Sequence, residues 1–533
     1  MYMKKIIVIL ILIPFFSCTD WLDVESEKSV TYINYFKSEE DLEKVLVSIL
    51  GYEKALFAPF RSDAFGWSGL LCDDAGYDEG YRQLDPKEYF SKQSMASWSN
   101  HYSLIYLANM LEENRFRFEN ISKERADYWL AQANFAKALA YFNIAQKWGD
   151  APLAPSTESI DAVGKSPVDT ILAEAICSAE KALILPPHEE LTDAYGDAIT
   201  SRQYASLGSV HTLLANIYAW MGGLHGEKSY WEKAEEHASL VIDNKVGYYD
   251  LENDISLLVT NTLGKNRATK ETIFAIEVNS QDDDRYWGTD LEVRYPGLGL
   301  VNYPYNGMSP GEIEDDETIA RIRVSTVEKV FPERNDQRRK EYWYELGKVS
   351  YPSMEWEWDD ELGDYVEKEV TIVSDYAFIN KWRDPIKSEN PYIIGESSEA
   401  PLLAMEGNRV VWRLADLILL RAECRARLQK ASAVDDLDRI RKRAGLENYG
   451  GSTEPERLRK EIFREREREL FGEGQRYYDV VRNGYVREEL SAQHAALSDE
   501  DIKNGALYLP VGRGSFEKNP LMKQNTYWLW RQE

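Results

Sequence analysis

Histidine is scarce in this chain: His101, His188, His211, His225, His237 and His494 are all it has in 533 residues. None stands in an HExxH or other metal-ligand spacing, which excludes the zinc hydrolases recognised by such motifs. Cysteine is scarcer still, with four residues. Apart from Cys18 these are Cys72, Cys177 and Cys424, which cannot all pair with one another, and no CxxC occurs. A disulfide framework and a zinc-binding module are therefore not expected. The alanine-rich surroundings of Cys177 and Cys424 mark them as small buried residues. No GxSxG elbow, P-loop or strand-borne GxGxxG is present, and Gly297-Leu298-Gly299 lacks a strand–turn–helix context. Positive charge is also in deficit. Against 91 Asp and Glu stand 63 Lys and Arg, a net charge of −28. Such a surface repels phosphate backbones and anionic headgroups, which excludes nucleic acid as a partner and a basic patch as a means of membrane attachment.

Long apolar runs are missing beyond the N-terminus. There, Lys4 and Lys5 precede the unbroken run Ile6 to Ile13, extended past Pro14 by Phe15 and Phe16. The run is shorter than the about 20 residues a spanning helix needs but suits a signal peptide over residues 1–17. Ser17-Cys18 follows and resembles a bacterial lipobox, which implies that Cys18 is acylated and opens the mature chain.

What the chain has in abundance is helical period. Ser38-Glu39-Glu40-Asp41 reads as an N-cap with first-turn acids, and Leu42, Val45, Leu46, Ile49 and Leu50 then share a face. Residues 98–118 repeat the pattern through Tyr102, Ile105, Tyr106, Asn109 and Leu111, with Trp98 packing at the start. Over 124–148 a stripe of Ala133, Ala136, Ala140 and Ile144 allows close helix approach, until Gly149-Asp150 and Pro152 end it. Ser166-Pro167 opens a helix over 167–185.

Residues 202–243 carry a helix through Leu207, Val210, Leu214 and Ile217, a break at Gly222-Gly223, and a second helix with Ala234 and Ala238. This pair resembles a tetratricopeptide unit, and 411–443 holds another alanine-rich pair. In the Arg/Glu-rich helix at 454–471 the alternating charges are expected on a solvated face.

Residues 246–405 differ. Ile273 to Val278 reads as a buried strand, and Val366, Val370, Ile372 and Val373 suggest further short strands amid Gly, Pro, Asp and aromatics. The expected fold is mainly α. A tetratricopeptide-like scaffold (18–245 and 406–490) carries an inserted irregular lobe of loops and short strands (246–405) and a C-terminal loop segment (491–533). Among 33 Tyr, 15 Trp and 17 Phe, many must be core; those outside helical pattern are candidates for an exposed platform. Carboxylate pairs are too common here to mark a glycosidase. Asp73-Asp74, Asp78-Glu79 and Asp282-Asp283-Asp284 lack EF-hand spacing and read as solvated loop acids. No metal or cofactor is expected.

Several blocks, in order, resemble the SusD/RagB family of outer-membrane lipoproteins. They are Cys18 to Glu25, Ala133 to Leu153, Glu271 to Phe274, Arg413 to Glu423, Ile440 to Leu446, Glu465-Arg466, Gly472 to Asp479, Leu509-Pro510-Val511, Asn519-Pro520 and Gln524-Asn525. Asp438 and Arg421 depart from the family's commoner Asn and Tyr or Phe. The resemblance implies a SusD-like fold. It also implies a lipid-anchored, non-catalytic surface protein that captures glycans, or peptides, for a SusC-like TonB-dependent transporter. The blocks themselves are structural: Arg413, Asp416, Glu423, Arg443, Glu473 and Arg476 are expected to pair or cap within the scaffold. Ligand is expected on the loops that vary. Here these carry Trp67, Asp73, Asp74, Tyr77, Tyr81 and Arg82, then Arg285, Tyr286, Trp287, Tyr305, Asn306, Trp343, Trp356 and Trp358. Aromatic rings cover the C–H face of a pyranose, and Arg, Asn and Asp meet its hydroxyls. For each of these rings burial is as good a reading as exposure. Trp356-Glu357-Trp358 alternates as a strand does, which places both rings on one face.

Overall fold

The computed structural model describes residues 35–57, 97–267, 269–278, 303–315, 321–387, 402–490, 492–517 and 519–529. Six helices form the first half of the scaffold: α1 (Glu39–Phe57), α2 (Ser99–Glu113), α3 (Lys123–Trp148), α4 (Val168–Lys181), α5 (Leu207–His225) and α6 (Lys228–Ile242). Each packs on its sequence neighbour. Caps mark several starts: Ser122 Oγ accepts from Arg125 N at 3.2 Å, and Ser206 forms a capping box with Ser209, whereas at α4 Pro167 takes the cap position and Ser166 supplies no cap. The alanine-rich α3 lies at the centre, buried along nearly its whole length.

Helix α5 differs from expectation. It runs through Gly222-Gly223 and stops at Gly226, whose φ of +71° is the left-handed cap conformation. The glycine pair is there for proximity: a Cβ on Gly222 would lie 2.5 Å from the Trp231 ring of α6. Close helix packing, not chain reversal, explains it.

Strand β1 (Thr272–Ile276), wholly buried, pairs antiparallel with a strand at Arg409–Arg413 far along the chain. Between them lie a short helix, α7 (Pro310–Asp315), and a two-stranded ribbon of β2 (Ser350–Asp359) and β3 (Asp364–Val373). Tyr376–Ile379 lies between Ile322–Arg323 and Trp343–Tyr344 in a small antiparallel sheet. The chain then returns to helices α8 (Leu414–Arg427), α9 (Ala433–Arg443), α10 (Pro455–Glu469) and α11 (Arg476–Asn483), with α8 packed on α6, α9 and α10. The C-terminal stretch contributes a fully buried Trp528. Among the described residues no helix is long and apolar enough to cross a membrane.

Two further expectations fail. Cys177 is exposed, turned out from α4, although Cys424 is buried. And the charges of α10 are solvated only in its first half, where Glu456 and Arg457 are exposed; Glu465, Arg466, Glu467, Arg468 and Glu469 are all buried. They turn inward because opposite charges from distant segments meet them. Arg338 binds Asp336 (2.8 Å), Glu465 (2.7 Å) and Glu469 (3.2 Å). Arg413 binds Glu271 (2.8 Å), Glu469 (2.6 Å) and Glu473 (2.8 Å). Arg443 reaches Glu271 at 2.8 Å and also meets Glu469, while Lys381 Nζ is 2.5 Å from Glu473. Beside this cluster Arg466 holds Asp416 (2.7 Å), Arg482 holds Glu423 (2.6 Å) and Arg476 holds Glu467 (2.6 Å). The motif residues thus pair within the scaffold, as expected. Arg338 and Lys381, both from the segment between the paired strands, fix that segment to α10.

Candidate ligand-binding surface

Of the sequence-selected residues, Trp67, Asp73, Asp74, Tyr77, Tyr81, Arg82, Arg285, Tyr286 and Trp287 lie outside the described residues, as does Cys18. The other five separate into three environments. Trp343 is a correction: it is 1% exposed and forms core, its ring 5.0 Å from that of Phe471. Its strand is the edge of the small sheet, and the side chain turns inward over α10's end rather than towards ligand. Tyr305 and Asn306 are partly covered. The Tyr305 hydroxyl donates to Asn380 Oδ1 at 2.5 Å, and burial pushes its phenol up to about 12. Asn306 Oδ1 accepts from Met308 N at 3.2 Å, while its buried Nδ2 has no hydrogen-bond partner.

Trp356 and Trp358 stand in the open, 65% and 51% exposed, on β2. The two-residue repeat of a strand puts both on one face with Met354. The register sets Trp358 opposite Tyr365, Trp356 opposite Glu367 and Met354 opposite Glu369. Directly opposed side chains share a face, so three rings and two carboxylates are displayed together. The Trp358 and Tyr365 rings meet edge to face at 5.3 Å and 74°, and Trp358 Nε1 donates to Asp360 Oδ1 at 3.0 Å, which orients the indole. On the reverse face Lys368 binds Glu357 at 2.6 Å. With ten residues in each strand the ribbon is roughly 30 Å long. None of its residues is buried. Its root is tied to α7: Tyr351 Oη donates to Glu314 Oε2 at 3.1 Å, and Ser374 Oγ to Glu314 Oε1 at 2.5 Å.

Tyr365 and Met354 escaped sequence reading, yet a signal existed. Asp359 to Gly363 is turn-rich, and folding Val366 to Val373 back on Tyr351 to Trp358 about that turn sets Tyr365 against Trp358. Chemically, the face joins apolar ring surface to hydrogen-bond acceptors, a combination suited to a ligand with both C–H faces and hydroxyls. Three histidines take packing positions: His101 Nε2 lies 2.7 Å from Asn143 Oδ1, and His211 Nδ1 2.8 Å from His237 Nδ1; His225 is exposed and lies 2.8 Å from Asp169. Among the described residues no group of three or more His, Cys, Asp or Glu could hold a metal ion.

Comparison with known proteins agrees with this architecture. Residues 270–528 match the model described as the SusD family, and residues 20–210 the model described as starch-binding, associating with the outer membrane. The SusD-like protein P25 of Formosa agariphila is 23% identical over 572 aligned positions, covering 98% of each chain. A SusD homolog from Bacteroides thetaiotaomicron superposes with a TM-score of 0.69 at 20% identity, covering 92% of this chain and 98% of that one. A laminarin-binding SusD-like protein superposes at 0.64 and 19% identity, covering 92% and 99%. Two family matches that together cover most of the chain, full-length relatives and a shared fold lead to one conclusion: the chain belongs to the SusD/RagB family.

Proposed function

We propose that this protein captures a glycan at the cell surface and delivers it to a SusC-like TonB-dependent transporter, over which it acts as a lid, without catalysis. Acyl chains on Cys18 would hold it in the outer membrane, facing the exterior. The family description as starch-binding and outer-membrane-associated supports the setting, and the laminarin-binding neighbour supports a glycan. The observation that carries the reading is the exposed face of Trp356, Trp358 and Tyr365. Water-exposed indoles in a row gain by covering a sugar ring and lose little entropy in doing so. Loop residues Trp67, Asp73, Asp74, Tyr77, Tyr81, Arg82, Arg285, Tyr286, Trp287, Tyr305 and Asn306 are proposed to complete the contacts. A basic peptide is the second reading, favoured by Glu367 and Glu369 beside the rings.

A glycan array run beside a panel of basic and neutral peptides separates the two. The full chain is expected to bind glycan, and the double variant W356A/W358A to bind at least tenfold more weakly, the scale of two lost stacking contacts. Binding of peptides alone removes the glycan reading; unchanged glycan binding by the double variant removes the ribbon from it.

A further inference from the structure

A groove of 1180 Å³ lies elsewhere in the fold, between α2, the loop 152–159 that follows α3, and the C-terminal stretch 512–522. The aromatic ribbon does not include it. Its volume exceeds the roughly 300–1000 Å³ usual for a small-molecule pocket, so it suits an extended ligand.

The lining is unusual for this chain. Against a net charge of −28, the charged residues of the groove are Arg513 and Glu517, and their signs cancel. The rest is aromatic, apolar or neutral polar. One carboxylate is too few for a calcium site, and an ionic ligand would find no surplus of opposite charge.

Polar groups in the groove fall into two sets. One set fixes the walls. Tyr102 Oη donates to Pro152 O at 2.6 Å, Tyr141 Oη accepts from Ala154 N at 3.0 Å, and Glu113 accepts from Thr157 N at 3.1 Å. Across the groove, Asn519 Nδ2 donates to Val163 O at 2.8 Å, and Gln524 exchanges two hydrogen bonds with Val511 at 2.8 and 3.0 Å. The other set has no partner among the described residues. Asn109 is only 8% exposed and lines the groove, yet its amide makes no hydrogen bond. The indole N–H of Trp98, the hydroxyl of Ser103 and the hydroxyl of the half-exposed Tyr106 likewise lack one. These groups face the groove, where a ligand's hydroxyls can bond to them. Ser103, Tyr106 and Asn109 stand three residues apart in turn, so they line one side of α2. The walls are preorganised and the floor holds unused donors and acceptors beside rings.

We infer that this groove is a second saccharide site, taking a neutral oligosaccharide of several rings whose hydroxyls meet Asn109, Ser103 and Tyr106. The inference rests on the glycan reading above and adds a site to it. Binding at the groove and at the ribbon would let one chain hold two stretches of a polymer, and the link between them raises the effective concentration for the second contact.

Isothermal titration of the full chain with hexasaccharides of β-1,3-glucan, α-1,4-glucan, xylan and mannan tests it. At least one is expected to fill two sites per chain. Ser103→Trp, which fills the groove, leaves one site, and Tyr106→Ala weakens the groove site about tenfold, the equivalent of one or two hydrogen bonds to sugar. Circular dichroism confirms that each variant folds; if Ser103→Trp does not, Tyr106→Ala decides. W356A/W358A also leaves one site, the groove. Two sites of unaltered affinity in a folded Tyr106→Ala variant, or a single site in the full chain that W356A/W358A abolishes, overturn the groove and leave glycan capture standing. Binding of no hexasaccharide by the full chain overturns both.

Discussion

Arg413 grips Glu473 with two parallel hydrogen bonds, Nε to Oε2 at 3.0 Å and Nη2 to Oε1 at 2.8 Å, with both side chains withdrawn from water. The same guanidinium also meets Glu271 and Glu469, so one side chain joins the entrance of β1, the end of α10 and the turn after it. Removing one partner of a buried pair strands the other charge, at about 3–5 kcal/mol. Arg413→Met is expected to lower unfolding stability by that amount in urea titrations. Arg413→Lys should recover little, since an ammonium cannot supply the fork. A full recovery by lysine would show that charge alone matters there.

Acid should dismantle this cluster in a defined window. Burial pushes the Glu473 carboxyl up, but Arg413 and Lys381 outweigh it and hold the group at about 2. Burial likewise pushes the Glu423 carboxyl up, and Arg482 and Arg427 outweigh it and hold the group at about 2. Both fold with a pKa below their ordinary 4.5, so the unfolded chain takes up protons first as pH falls. Their contribution is complete above about 4.5 and lost between there and about 2. Melting temperature measured from pH 7 to 2 should fall most steeply in that window; a flat profile across it would contradict the assignment.

Glu53 should act in the opposite direction. Burial in α1 pushes its carboxyl up to about 8, and the amide of Gln203, 3.5 Å away, offsets this only in part. The folded protein keeps a proton that the unfolded chain releases above about 4.5, so stability is lost as pH rises from 4.5 through 8. Glu53→Gln keeps the shape without the titration. It is expected to melt higher than the native chain at pH 9, by on the order of a few kcal/mol, and level with it near pH 4. Parallel melting curves for the two at all pH values would rule the protonated state out.

Gly222→Ala sets two effects against each other. Alanine favours a helix by up to about 1 kcal/mol over glycine, but the new methyl would meet the Trp231 ring at 2.5 Å. Overpacking of this kind costs about 1–3 kcal/mol, so a lower melting temperature is expected. A rise would mean that α5 and α6 separate easily.

The tryptophans of the lobe should divide sharply. Trp343→Ala empties a core position and should lower stability by about 3–5 kcal/mol. Trp356→Ala and Trp358→Ala, on an exposed face, should each change it by under about 0.5 kcal/mol. Urea midpoints of the three variants check this without any ligand.

Helix positions, faces and most caps were legible because period and capping are local signals. The buried stripe of α1, Leu42, Val45, Leu46 and Ile49, stands where its spacing puts it. What escaped depends on distant partners. The α10 charges look like a solvated face until Arg338 and Arg413 arrive, from 127 and 56 positions away to bind Glu465 and Glu469. Gly222-Gly223 looks like a break until the neighbouring helix presents Trp231. Trp343 and Trp356 have equally aromatic surroundings in sequence; only the sheet register sends one inward and leaves the other out. Of the candidate site, the alternation of Trp356 and Trp358 was readable, and the groove was not, since its C-terminal wall comes from a segment far along the chain from the other two.

The ribbon of β2 and β3 meets the body at its root through Glu314, and no residue along its strands is buried. Its tip can therefore be rewritten, ring by ring, without opening a cavity or stranding a charge. That makes it a natural graft point: recognition could be transplanted from one such hairpin to another while the interior stays as it is.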